Sequence, residues 1–108
     1  MYKSKNDMSY EQVKAIMLEH GLEEYDDSEG TNFKFVKGKN HIKIFERFKP
    51  MIRGGITGNL YVEVLEDYKT QCSKNGHINI KLVQDEKELR NILDSVKQYF
   101  LRKWNVNY

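Results

Sequence analysis

DEKELRNILDSVKQYFLRKW, residues 85–104, is the stretch that decides the architecture. Its apolar side chains fall at Leu89, Ile92, Leu93, Val96, Tyr99, Phe100 and Trp104. That spacing of threes and fours traces one stripe on a helix of 3.6 residues per turn. Asp85 stands where an N-cap acceptor belongs, and Glu88 completes a capping box three residues on. Acids fill the first turn (Asp85, Glu86, Glu88) and bases the last (Arg102, Lys103), the polarity that the helix dipole favours. Glu86 and Arg90 are spaced i,i+4 in the favourable order. The outward positions Lys87, Arg90, Asp94 and Lys97 are mixed in sign and read as solvated. The pattern predicts a long amphipathic helix whose aromatic stripe is core, with a small antiparallel sheet packed against it.

Upstream of this helix the periodicity changes from 3.6 to 2. Residues 77–83 read as a strand with Ile78, Ile80 and Leu82 inward, opened by the turn signal Asn75-Gly76. Residues 60–66 read as a strand with apolar side chains on both faces, and 67–74 as a bulged or irregular segment. Residues 31–37 and 40–48 form a hairpin about Gly38-Lys39. A two-residue turn sets Phe33 opposite Ile44 and Phe35 opposite Ile42, all four facing the core. The other face then carries Lys34, Val36, His41, Lys43, Phe45 and Arg47. Lys34 lies directly across from Lys43, a destabilising pair unless an acid such as Glu63, or a ligand, relieves it.

Residues 49–59, KPMIRGGITGN, read as one long irregular loop, with Lys49 and Arg53 as its bases. Near the start, Ser9 is the expected N-cap of a first helix, with Gln12 as capping-box partner and Met8 stapled to Val13. Its inner stripe is Tyr10, Val13, Ile16, Met17 and His20; Gly21 stops it and Leu22 folds back on Met17. Residues 23–29, EEYDDSE, read as a solvated acidic loop able to lie over the basic hairpin. Residues 1–7 read as a disordered tail. The expected fold is α+β in residues 8–108, one domain: an N-terminal helix, a four-stranded antiparallel sheet and the long C-terminal helix, both helices on one sheet face.

The chain has 108 residues and a net charge of +2, but the charge is segregated. Residues 1–30 carry three Lys against eight Asp or Glu, whereas 31–60 carry seven Lys or Arg against Glu46 alone. Hydrophobic content of 39% with 31% charged residues suits a globule rather than disorder. Neither a long apolar run nor an apolar N-terminal stretch is present, so neither a membrane span nor a signal peptide is expected. A lone Cys72 permits no internal disulfide, and a reducing cytoplasm is the expected setting. The richness in Lys, Asn, Ile and Tyr accompanies AT-rich coding, as in many Firmicutes, phages and archaeal viruses, and bears on origin, not on mechanism.

The catalytic possibilities are few. Cys72 and His77 lack a third, orienting group. His20, His41 and His77 lack metal-ligand spacing. No Ser sits in a nucleophile elbow, and the glycines of 49–59 lack the lysine and following helix of a phosphate loop. No cofactor and no metal are expected. Asp67-Tyr68-Lys69-Thr70 resembles the D-Y-K-T element of RecB-type nucleases of the PD-(D/E)XK superfamily. That resemblance implies an Asp67 that holds Mg²⁺ and a Lys69 that orients water. The upstream acid of that family would have to be Glu46 or Glu63, because Thr57 follows Gly55-Ile56. The helix–strands–helix order also resembles a double-stranded-RNA-binding domain, but Asp85-Glu86-Lys87-Glu88 stands where that family needs lysines.

The leading expectation is therefore a small non-enzymatic intracellular binding protein, with a phage or mobile-element accessory or inhibitor protein as its narrower form. Its partner would be a host protein or nucleoprotein complex, met by Lys34, His41, Lys43, Phe45, Arg47, Lys49 and Arg53. Basic side chains around an exposed ring also suit nucleic acid, the second expectation. A divergent metal-dependent nuclease using Asp67, Lys69 and Glu46 is the third. A homodimer through the open face or an edge strand is a further candidate.

Overall fold

A computed structural model of the chain describes residues 6–52 and 54–105. It is α+β: two helices and one antiparallel sheet of five strands in the order β1-β2-β3-β4-β5. The strands are β1 (Glu23–Asp27), β2 (Gly30–Lys37), β3 (Asn40–Pro50), β4 (Ile56–Tyr61) and β5 (His77–Asn79). Helix α1 spans Tyr10–Glu19 and α2 spans Glu86–Lys103. Among the described residues, no helix is long and apolar enough to cross a membrane.

Both helix boundaries follow from their caps. The Ser9 hydroxyl accepts from the Gln12 amide at 3.0 Å, but the Gln12 side chain donates to Glu86 of α2 instead of closing the box. At the far end the Gly21 amide bonds Leu18 O and the Leu22 amide bonds Met17 O. With Gly21 at φ 78°, this is a Schellman stop, and Leu22 is buried as its apolar contact. Asp85 caps α2 by accepting from the Glu88 amide at 2.8 Å. The buried stripe of α2 is Leu89, Ile92, Leu93, Val96 and Phe100, joined by Leu101. Tyr99 and Trp104 flank it half-buried, and Trp104 stacks on Phe35 with ring centroids 5.8 Å apart. Tyr10 of α1 stacks on Phe48 at 4.4 Å, so both helices meet the sheet face that carries Phe33, Phe35 and Phe48.

The sheet departs from expectation in four places. First, it has five strands, not four. Residues 23–27 form an exposed edge strand rather than a loop, paired from Glu23↔Lys34 to Asp27↔Gly30.

Second, β3 is bulged. Lys37↔Asn40, Phe35↔Ile42 and Lys34↔Lys43 pair as the turn predicts, but Phe33 pairs with Phe45, not Ile44. A second irregularity leaves Thr31 opposite Phe48. Ile44, Phe45 and Phe48 are large and apolar, and no two-residue period puts all three on one face. Each extra residue resets the alternation, so all three are fully buried. Phe45, expected on the open face, is in the core.

Third, most of the expected 49–59 loop is strand. β3 runs to Pro50 and β4 begins at Ile56. Gly58 allows this, because a Cβ there would lie 2.7 Å from the Phe45 ring. Fourth, the strands expected at 60–66 and 77–83 are cut short. β4 stops at Tyr61, and after β5 the Asn79 side chain accepts from the Lys81 amide, turning residues 80–82 into a 3-10 turn.

Candidate binding face

The uncovered face of the sheet gathers most of the charged side chains singled out from the sequence, and acids from β3 and the β1–β2 turn pair with two of them, Lys43 and Arg47. Lys43 Nζ lies 3.1 Å from Glu46 Oε1. On a regular strand, positions three apart point to opposite faces. The extra residue at Ile44 returns Glu46 to the side of Lys43. Glu46 also accepts from Asn59 Nδ2 at 3.2 Å on β4. Burial pushes the Glu46 carboxyl up, but the hydrogen bonds from Asn59 and Lys43 outweigh it and leave it below the usual range. The same bond to Glu46 raises the Lys43 ammonium against the opposing effect of burial.

Arg47 closes the next part of the network. Its Nε is 2.7 Å from Glu29 Oε2 in the β1–β2 turn and 3.8 Å from Glu46 Oε2. Its backbone is left-handed, φ 55°, and its amide donates to the buried Asn32 side chain. Lys34 stands across from Glu23 on one side and Lys43 on the other, with its ammonium 5.4 Å from the Tyr25 ring centre. The like-charge pair Lys34–Lys43 is thus relieved by Glu46 beside Lys43 and by the Tyr25 ring beside Lys34, not by Glu63, whose side chain sits against Gly76. His41 is exposed and pairs with Val36. Lys49 is exposed and pairs with Thr57. Arg53 lies outside the described residues.

The acids Glu23, Asp27 and Glu29 and the amides Asn32 and Asn59 were not among the site residues read from the sequence. The signal of the three acids was present in the charge segregation, since a strongly acidic stretch immediately precedes the basic hairpin, close enough to fold back as its neighbour; the two amides had none.

The D-Y-K-T element lies elsewhere, on a short 3-10 turn at Glu66–Tyr68. Lys69 Nζ is 2.9 Å from Glu66 Oε2, so its charge is engaged by a local acid. The Tyr68 hydroxyl donates to Glu88 Oε2 at 2.7 Å, docking the turn on α2. Asp67 is exposed, and Glu46 belongs to the sheet network. Among the described residues, no three His, Cys, Asp or Glu side chains gather at a spacing that could hold a metal ion.

In comparisons with known proteins, no family model, no curated protein and no solved structure significantly matches this chain.

Proposed function

We propose that this chain is a non-enzymatic binding protein whose open sheet face docks a protein partner, as an accessory or inhibitor of a host protein or nucleoprotein. The supporting observation is the pairing of Lys43 with Glu46 and of Arg47 with Glu29 at 3.1 and 2.7 Å. Nucleic-acid binding draws its affinity from bases that release small counterions from phosphate. Here the bases would first have to give up carboxylates fixed in the same sheet, which returns much of that gain. A protein surface with alternating charges can exchange pairs with this face one for one, which favours specificity over bulk attraction.

The test is a photo-crosslinking residue at His41, expressed in the source organism. A discrete protein adduct is expected, lost in the Lys43→Glu/Arg47→Glu variant while its thermal unfolding stays cooperative. An adduct unchanged by that charge reversal rules out the face. Labelled DNA and RNA, titrated at low and physiological salt with and without Mg²⁺, complete the test. Steeply salt-sensitive binding would reassign the face to nucleic acid, and shortened probe in Mg²⁺ would make the chain an enzyme.

A further inference from the structure

The β3–β4 connection carries the least covered apolar side chain among the described residues. Ile52 is fully exposed and Met51 beside it is 40% exposed. The tip is not a slack loop. The Met51 amide bonds Gly55 O and the Gly54 amide bonds Met51 O, each at 3.0 Å. Gly54 and Gly55 both take positive φ, 95° and 80°, as a tight reversal requires. A braced turn therefore holds a branched apolar side chain in water.

Next to it lies a groove of about 550 Å³ between the tip and the segment leading into α1. Met8, Tyr10, Met51 and Ile56 supply its apolar lining, and Asp7 stands among its polar residues. The approach to the tip is basic: Lys49 is exposed at the end of β3, Arg53 follows it in the sequence, and no acid falls between Glu46 and Glu63.

We infer that the tip and the groove are the two halves of a self-association surface, in which Ile52 of one copy seats in the groove of a second copy. Projection and recess lie side by side, the recess between the tip and the segment before α1, so a two-fold axis near the tip would let each copy fill the other's groove. That is an isologous contact, which closes at two copies. Charge points to the same occupant: the partner's basic tip would come over Asp7 at the groove. The tip is small, and interfaces well below the standard size are weak and reversible. This inference does not rest on the open-face reading: Ile52 and the groove residues belong to neither Lys43–Glu46 nor Arg47–Glu29, and only Lys49 and Arg53 are common to both surfaces.

Sedimentation equilibrium up to about 1 mM protein tests it, with methyl and amide shifts followed on dilution. The expected result is a monomer–dimer equilibrium in which Ile52, Ile56 and Met8 shift with concentration. Ile52→Glu should stay monomeric over the whole range with an unchanged circular-dichroism spectrum. Asp7→Lys should weaken the dimer at least tenfold, and Lys49→Glu added to it should restore much of the loss. A monomer at every concentration overturns the proposal. So does a dimer indifferent to Ile52→Glu, or a groove filled in the monomer by the chain's own first five residues, seen as nuclear Overhauser contacts to Met8.

Discussion

Asn32 ties three strands together with one side chain. It is buried at 1% exposure. Its amide nitrogen donates to Asp27 Oδ2 and Tyr25 O on β1, and its oxygen accepts from the Arg47 amide on β3. Asn32 thereby satisfies an amide that the bulge removes from the ladder. Asn32→Ala should cost about 0.5–1.5 kcal/mol, the net worth of a typical hydrogen bond, because its partners on β1 are exposed and would turn to water. Asn32→Asp should cost more near neutral pH, because a second carboxylate would face Asp27. Urea denaturation of both variants checks the order, and equal losses would mean that the Asp27 contact carries nothing. Gly58 is the other decisive residue. A methyl group there would meet two Phe45 ring carbons at 2.7 Å and Phe48 Cα at 3.3 Å. The ring must move or the strands must part, so Gly58→Ala should destabilise by about 1–3 kcal/mol, in the range of core overpacking. A stability within error of the parent would show that the ring relaxes freely.

Beside the Glu19–Arg90 ion pair at 2.6 Å, a histidine contact joins the two helices. His20, the C-cap of α1, places Nδ1 3.3 Å from Asp94 on α2, and Lys97 Nζ donates to His20 O at 2.8 Å. Burial depresses the His20 pKa below its ordinary 6.5, Lys97 adds to the effect and Asp94 opposes it. The folded state thus favours neutral His20, and the unfolded chain takes up the proton first as pH falls. This contribution to stability is complete above 6.5 and declines as pH drops through that value, levelling off below the folded pKa. His20→Gln should flatten this part of the stability curve between about pH 7.5 and 5. Denaturation midpoints across that window are the check, and an unaltered slope would assign the dependence to other groups. The same elements show what the sequence made legible. α2 was readable from end to end because its cap, stripe and charge polarity are all local. The hairpin turn at Gly38-Lys39 was readable for the same reason. β3 was readable only to Lys43, because at Ile44-Phe45 tertiary packing overrides the period of 2. The edge strand β1 was hidden by composition, since Glu-Glu-Tyr-Asp-Asp has little strand propensity of its own and gains its partners from β2. Of the candidate face, the sequence placed Lys34 opposite Lys43 correctly, but the acid that relieves them depends on a bulge that no local pattern announces.

At the scale of the whole molecule, two forces hold unequal shares. The segregated charges meet across the β1–β2 turn in the pair Arg47–Glu29, and Lys43–Glu46 is a further pair within the basic hairpin. Lys14–Glu24 joins α1 to β1 in the same way, at 3.3 Å. Exposed pairs of this kind contribute little and weaken as salt shortens the screening length from about 10 Å at 0.1 M to about 3 Å at 1 M. The core is of a different order. Phe33, Phe45, Phe48, Leu89, Ile92 and Leu93 are all buried, and each is worth about 1.5–3 kcal/mol. Salt should therefore divide the molecule. Raising NaCl toward 1 M should leave global stability within about 1 kcal/mol, since apolar burial is not screened. The amides of β1, whose residues are exposed and which is tied by ion pairs to Lys14 through Glu24 and, at the turn that follows it, to Arg47 through Glu29, should lose hydrogen-exchange protection while those of β3 and β4 keep theirs. That pattern would mark the acidic strand as a separately opening edge, governed by the charge segregation visible along the chain. Equal loss of protection in all strands would mean that β1 is held by its ladder and by Asn32, and that the ion pairs only decorate it.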